Sequence, residues 1–201
     1  MKRRNSTVAV ALMAACCLVS DSNLHAQNAS ADAEVSAVAD ASKSRTLADA
    51  KLGETRNVHA FGETLLCGQP TANEFGTARD RGIQTVITLR EPNEIDWNEP
   101  QVVKSLGMDF YAFGFRTPES LTFELLDRVL AVMADEDRQP VMLHCASANR
   151  VGAVWMAHRV LHDELDFSKA KVEAKQVGLR TPAYEAVVLE YIRNRQSKID
   201  D

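Results

Sequence analysis

From residue 58 onward, apolar and polar positions follow two alternating periods. Residues 63–67, 83–89, 108–113 and 140–144 are short apolar runs rich in β-branched side chains, and they read as strands. Between and after them the apolar positions recur at helical spacing. Leu125, Leu126, Val129, Leu130 and Met133 share one face of a predicted helix over 121–134. Further helices are predicted over 71–81, 100–107, 151–163, 168–177 and 182–196. Thr71 and Glu74 form a capping box at the start of the first. The order is β-α-β-α-β-α-β followed by three helices. Strands separated by helices need right-handed crossovers, so the expected fold is three-layer α/β: a four-stranded, mainly parallel sheet with helices on both faces. Ligands of such sheets bind at the carboxyl ends of the strands. The fourth strand ends at His144-Cys145.

The amino-terminal part is different. Lys2, Arg3 and Arg4 precede a short uncharged, apolar stretch over 8–20, and Ala26 offers a cleavage site. The stretch is too short to span a bilayer. Residues 1–26 therefore read as a signal peptide, with lipidation at Cys16 the alternative, and the expected destination is the periplasm or the exterior of a bacterial cell. Cleavage takes the formal charge from -5 to -7 and leaves Cys67 and Cys145 as the only thiols. Residues 27–57 are rich in Ala, Ser and Asp and read as a flexible tether, with a short helical piece over 47–51 conceivable. Residues 58–201 form the remaining domain. The acidic balance, 28 Asp and Glu against 23 Lys and Arg, argues against a nucleic-acid partner.

The most informative stretch is Cys145-Ala146-Ser147-Ala148-Asn149-Arg150. A strand runs into Cys145, a short loop follows, and a helix starts near Arg150. Loop amides from Ala146, Ser147, Ala148 and Asn149, together with the helix N-terminus, form an anion cradle that lowers a thiol pKa. Arg150 adds a planar fork suited to a tetrahedral oxyanion. The bland alternative is an inert buried cysteine with a surface arginine. His144 either orients the nucleophile or merely packs at the strand end.

These residues resemble a family. His144-Cys145, a short loop and Arg150 at a strand–helix junction are similar to the protein tyrosine and dual-specificity phosphatases. With Cys67-Gly68-Gln69-Pro70 and Val86-Ile87-Thr88-Leu89-Arg90, the closer resemblance is to the bacterial beta-lactamase hydrolase-like phosphatase-like domain. The resemblance covers about residues 58–165. It implies a dual-specificity phosphatase-like fold, a phosphomonoester substrate and a phosphocysteine on Cys145, with neither metal nor organic cofactor. It also implies a general acid after the third strand. Glu119 stands in that region, and Glu94 and Asp96 are the alternatives. Four residues separate Cys145 from Arg150, a loop length also found in rhodanese-like sulfurtransferases, where the cysteine carries a persulfide. A sulfane-sulfur donor is thus the second substrate class, and a weakly catalytic oxyanion-binding module the third reading. In a sheet of the phosphatase type the first and fourth strands are neighbours, making Cys67 a possible redox partner of Cys145. His158 and His162, four apart on one helix, lack a third ligand and read as a solvated face, so no metal is expected. Trp97 lies in an acidic loop as a candidate wall of the site. Arg90 either approaches the bound anion or pairs with Glu94.

Overall fold

The computed structural model describes residues 46–198, so the predicted leader and most of the tether lie outside it. The described chain forms an α/β fold around a mixed six-stranded sheet, in the order β1-β2-β3-β6-β4-β5. The strands are β1 Ala48–Asp49, β2 His59–Phe61, β3 Thr64–Cys67, β4 Thr85–Thr88, β5 Asp109–Ala112 and β6 Val141–His144. The four predicted strands are present and form the parallel block β3-β6-β4-β5. The expectation of a four-stranded sheet is corrected by β1 and β2, added antiparallel at the β3 edge.

Thr46 to Asn57 also corrects the tether. Ala48 pairs with Ala60, and Leu52 is fully buried. The Glu74 carboxylate fixes the backbone there, accepting the amides of Glu54 at 2.5 Å and Thr55 at 3.0 Å. Glu74 meanwhile completes the predicted capping box, accepting the Thr71 amide at 2.6 Å. One buried leucine and a distant carboxylate order a segment whose composition alone reads as solvated.

Among the described residues six helices flank the sheet: α1 Ala72–Asp80, α2 Glu99–Ser105, α3 Phe123–Ala134, α4 Asn149–Leu161, α5 Phe167–Val177 and α6 Pro182–Ser197. Side chains alternate across each strand. Leu65, Cys67, Val86 and Met142 pack with Phe75 of α1 and Val103 of α2. Leu66, Ile87, Leu143 and Cys145 pack with Leu126 of α3, Trp155 of α4 and Val188 of α6. The carboxyl ends of β3, β6 and β4 lie level, with Cys67 and Thr88 both in register with His144. The loops that leave those ends build the site.

Candidate active site

β6 is buried along its whole length between β3 and β4 and delivers Cys145 to the carboxyl edge of the sheet. The His144 carbonyl accepts the Leu89 amide at 2.9 Å, and the Cys145 amide reaches the Cys67 carbonyl at 3.4 Å. Cys145 is 1% exposed, while Ala146 beside it is open to solvent. The chain then turns through Ala148, which is left-handed at φ +62° and supplies no side-chain cap to α4. First-turn amides without a cap favour an anion at that helix end. Gly178 makes room for this turn, because a Cβ there would stand 3.2 Å from Ala148.

Arg150 runs inward from the first turn of α4. Its Nη1 donates to the carbonyls of Leu89 at 2.8 Å and Phe115 at 2.7 Å. Glu94 takes Nη1 and Nη2, each at 2.7 Å, on its two carboxylate oxygens. Nε–H and one Nη2–H are not used by these bonds and form a second fork. Burial alone would raise the Glu94 pKa, but the Arg150 hydrogen bonds, the Glu91 amide and the nearby arginine charges outweigh it and hold Glu94 below the usual range. Burial works against the Arg150 charge, yet Glu94 and Cys145 carry its pKa upward. Glu94, considered as an acid, is thus the anchor of Arg150.

The loop is also tied from above. Asn149 Oδ1 accepts the amides of Arg180 at 2.8 Å and Thr181 at 3.3 Å, and its Nδ2 donates to Thr181 Oγ1 at 2.9 Å. Arg180 Nη2 donates to Ser147 Oγ at 2.6 Å, and Asn57 Nδ2 to the Ser147 carbonyl at 3.0 Å. Asn149 is therefore committed to holding the loop on the start of α6. Arg180, Thr181 and Asn57 were not legible in sequence, since nothing local marks a bond across 30 to 90 residues.

His144 points to the opposite face of the sheet from Cys145, edge-on to Phe75 at 5.6 Å. Full burial, then the charges of Arg90 and Arg150, push its pKa down to about 3. It is a neutral packed residue next to Glu99 and makes no ion pair with the thiol. Arg90 pairs with the Glu94 segment as expected, donating Nη2 to the Glu94 carbonyl, and also reaches Gln69.

Other expectations fare differently. Cys67 and Cys145 are both free, and they hang on opposite faces of the sheet, so the redox pairing is not formed. Burial and the neighbouring Cys145 raise the Cys67 thiol well above its ordinary pKa. Glu119 lies exposed on the turn Pro118–Ser120, without a hydrogen bond to the cysteine loop. Its own amide and Thr117 hold its carboxyl below the usual range, which disfavours the protonated form an acid needs. Asp96 is exposed. Tyr184, unnoticed in sequence, is buried against Phe115 within electrostatic reach of Cys145, and it donates to the Arg116 carbonyl at 2.8 Å. Trp97 is half-buried against Phe75. His158 is not on a solvated face: it stacks between Trp155 and His162, and burial pushes it down to about 4. Among the described residues no group of three metal-ligating side chains occurs. No described helix is long and apolar enough to cross a membrane.

No family model matches the chain, and no curated protein matches it in sequence. Solved structures do. The DUF442 protein of Shewanella putrefaciens CN-32 is 18% identical, with a TM-score of 0.60 over 71% of this chain and 95% of that one. TpbA of P. aeruginosa, in complex with pTyr, is 14% identical, with a TM-score of 0.60 over 76% and 96%. The core catalytic domain of the PP-IP phosphatase SIW14 of S. cerevisiae, in complex with citrate, is 17% identical, with a TM-score of 0.58 over 75% and 96%. At these identities the likeness is one of fold: the chain has the α/β architecture of structures that include a phosphatase catalytic core.

Proposed function

We propose that the chain is a cysteine-dependent phosphatase acting through a phosphocysteine. One observation carries this reading: Cys145 lies at the mouth of an uncapped helix N-terminus beside Arg150, whose remaining fork is presented by the two-oxygen grip of Glu94. Cys145 attacks phosphorus, loop amides and Arg150 hold the equatorial oxygens, and water then hydrolyses the phosphocysteine. The shared fold supports phosphoryl chemistry. The motifs around Gln69 and Arg90 support the narrower placement beside the beta-lactamase hydrolase-like phosphatases. The four-residue spacing between Cys145 and Arg150 favours a second reading, sulfur transfer through a Cys145 persulfide. The basic, then apolar leader supports export, with a mature chain starting near Gln27. Sequencing the amino terminus of the periplasmic protein checks that, and full-length protein in the cytoplasm would refute it.

Parallel assays separate the two chemistries. The expected result is turnover of an aryl phosphate, none of thiosulfate with cyanide, and loss of turnover in Cys145→Ser, because a hydroxyl is a far weaker nucleophile than a thiolate. Glu94 and Glu119 are both held below the usual carboxyl range and Asp96 is exposed, so none of the three is poised as a protonated acid and the leaving oxygen departs with little help. Alkyl phosphates should therefore lag aryl phosphates by about 10²-fold or more. Undiminished turnover in Cys145→Ser overturns both covalent readings.

A further inference from the structure

Most arginines of this chain are neutralised where they stand. Among the described residues Arg90, Arg138, Arg150, Arg159 and Arg195 each meet an aspartate or glutamate. Arg56, Arg116 and Arg180 meet none among the described residues, and all three are exposed in segments that touch the cysteine loop. The Arg56 carbonyl accepts the Gly68 amide at 2.9 Å, and Gly68 bridges to Ser147. Arg116 follows Phe115, whose carbonyl holds Arg150. Arg180 is joined to the loop twice, by its amide to Asn149 and by its guanidinium to Ser147. Glu54 and Glu119 stand in the same segments, and neither pairs with any of the three. A cationic rim on a chain of net charge -5 is a local feature that composition does not supply.

Arg180 is the best placed of the three. Its Nη2 donates to Ser147 Oγ at 2.6 Å, and its Nη1 to the carbonyls of Gly178 at 3.4 Å and Ser147 at 3.5 Å. Arginine carries five N–H donors, so Nε–H and one Nη2–H are left over. Those two share one edge of the guanidinium plane. Ser147 thus grips one edge and leaves the other open on an exposed side chain. That edge matches a tetrahedral oxyanion in two parallel bonds. Ser147 is also a member of the anion cradle, so a phosphate seated over Cys145 has the open edge of Arg180 beside it. We propose that Arg180 is a specificity-determining residue that binds a second phosphate of the substrate, so that the preferred substrate carries two phosphates close together. Arg56 and Arg116 add their charge at the same mouth. That one of the two phosphates is attacked rests on the phosphatase reading; the two-phosphate site does not. The step at Cys145 is unchanged: the S–P bond forms as the bond from phosphorus to the leaving oxygen breaks, and the second phosphate departs with that oxygen.

The test is calorimetric titration of the full chain at neutral pH, free of metal ions, with orthophosphate, methylenediphosphonate and propane-1,3-diphosphonate. One of the diphosphonates should bind at least about tenfold tighter than orthophosphate. The shorter is favoured if the substrate's phosphates are joined directly, the longer if they sit on neighbouring positions of one molecule. Arg180→Gln should shrink the advantage to about threefold or less. Arg193→Gln removes the same charge about 16 Å further along α6, beyond the reach of an unscreened field, and should preserve it. The ratio is the readout because a loosened loop weakens all three anions alike. In the unaltered chain, the Arg180 Nε–H resonance should shift on saturation with the tighter diphosphonate and stay in place with orthophosphate. Equal affinities for the three anions, an advantage that survives in Arg180→Gln, or an unmoved Nε–H resonance overturns the proposal. Orthophosphate binding without turnover of an aryl phosphate would count against the phosphatase reading alone, with the diphosphonate ratio still deciding this one.

Discussion

Glu94 and Arg150 form the contact on which the site depends most. Both side chains are 9% exposed, and four hydrogen bonds fix the guanidinium on its carboxylate and two carbonyls. A planar fork gripped on one edge presents its other edge in a defined direction. Glu94→Gln keeps the shape but removes the charge and puts an amide where one accepting oxygen was. The expected cost is about 3 kcal/mol of stability, the lower end for breaking a buried pair, since the carboxylate lies near the surface. Turnover should fall by about tenfold to a hundredfold as the free edge loses its aim. Urea unfolding and steady-state kinetics measure the two effects. A variant with full activity would show that Arg150 is oriented by Leu89 and Phe115 alone.

At the scale of elements, α4 must approach the end of α5 closely for its first turn to reach Cys145. Gly152 permits this: a Cβ there would lie 2.5 Å from the Ala174 carbonyl oxygen and 2.7 Å from the Leu179 amide nitrogen. Glycine to alanine inside a helix ordinarily stabilises by about 1 kcal/mol. Here backbone blocks the new methyl, so Gly152→Ala should instead destabilise, by about 1–3 kcal/mol. It should also lower activity by lifting the helix off the loop, as thermal unfolding and kinetics would show. The elements themselves were largely readable. Apolar runs marked β3 to β6 and helical spacing marked the helices, because burial on one face imposes a period. β1 and β2 escaped because two or three residues are too short to show one. Cys145, Arg150 and their loop were legible, since strand, loop and helix are contiguous. Glu94 was read as a possible acid because its partner stands 56 residues away. Gln69, Glu99 and Arg180 were missed as partners for the same reason: polar pairing across the fold leaves no local period.

For the whole molecule, the buried histidines determine how stability responds to acid. His144 is pushed to about 3 and His158 to about 4 by burial, against about 6.5 in an unfolded chain. Asp163 pulls His158 upward and His162 and Arg159 push it down, but burial leads. A histidine with a lowered folded pKa contributes its full stability above the unfolded value and loses it as pH falls toward the folded one. The unfolded chain binds two protons that the folded chain refuses. Stability should therefore decline from about pH 6.5 toward pH 4, by at most about 1.4 kcal/mol per pH unit for each ring. Glu99, raised by burial, works in the opposite direction, and Glu74 and Glu94, both lowered, extend the loss into stronger acid. Charge repulsion does not explain the upper part of this decline, because a chain of net charge -5 at pH 7 moves toward neutrality as acid is added, reaching it near pH 5.6. His158→Gln, remote from the cysteine loop, should remove about half of the slope while leaving His144 to supply the rest. Urea unfolding at half-unit steps between pH 7 and 4.5 measures it. An unchanged slope in that variant would mean that His158 is protonated in the folded chain and that its ring is not shut away from water between Trp155 and His162.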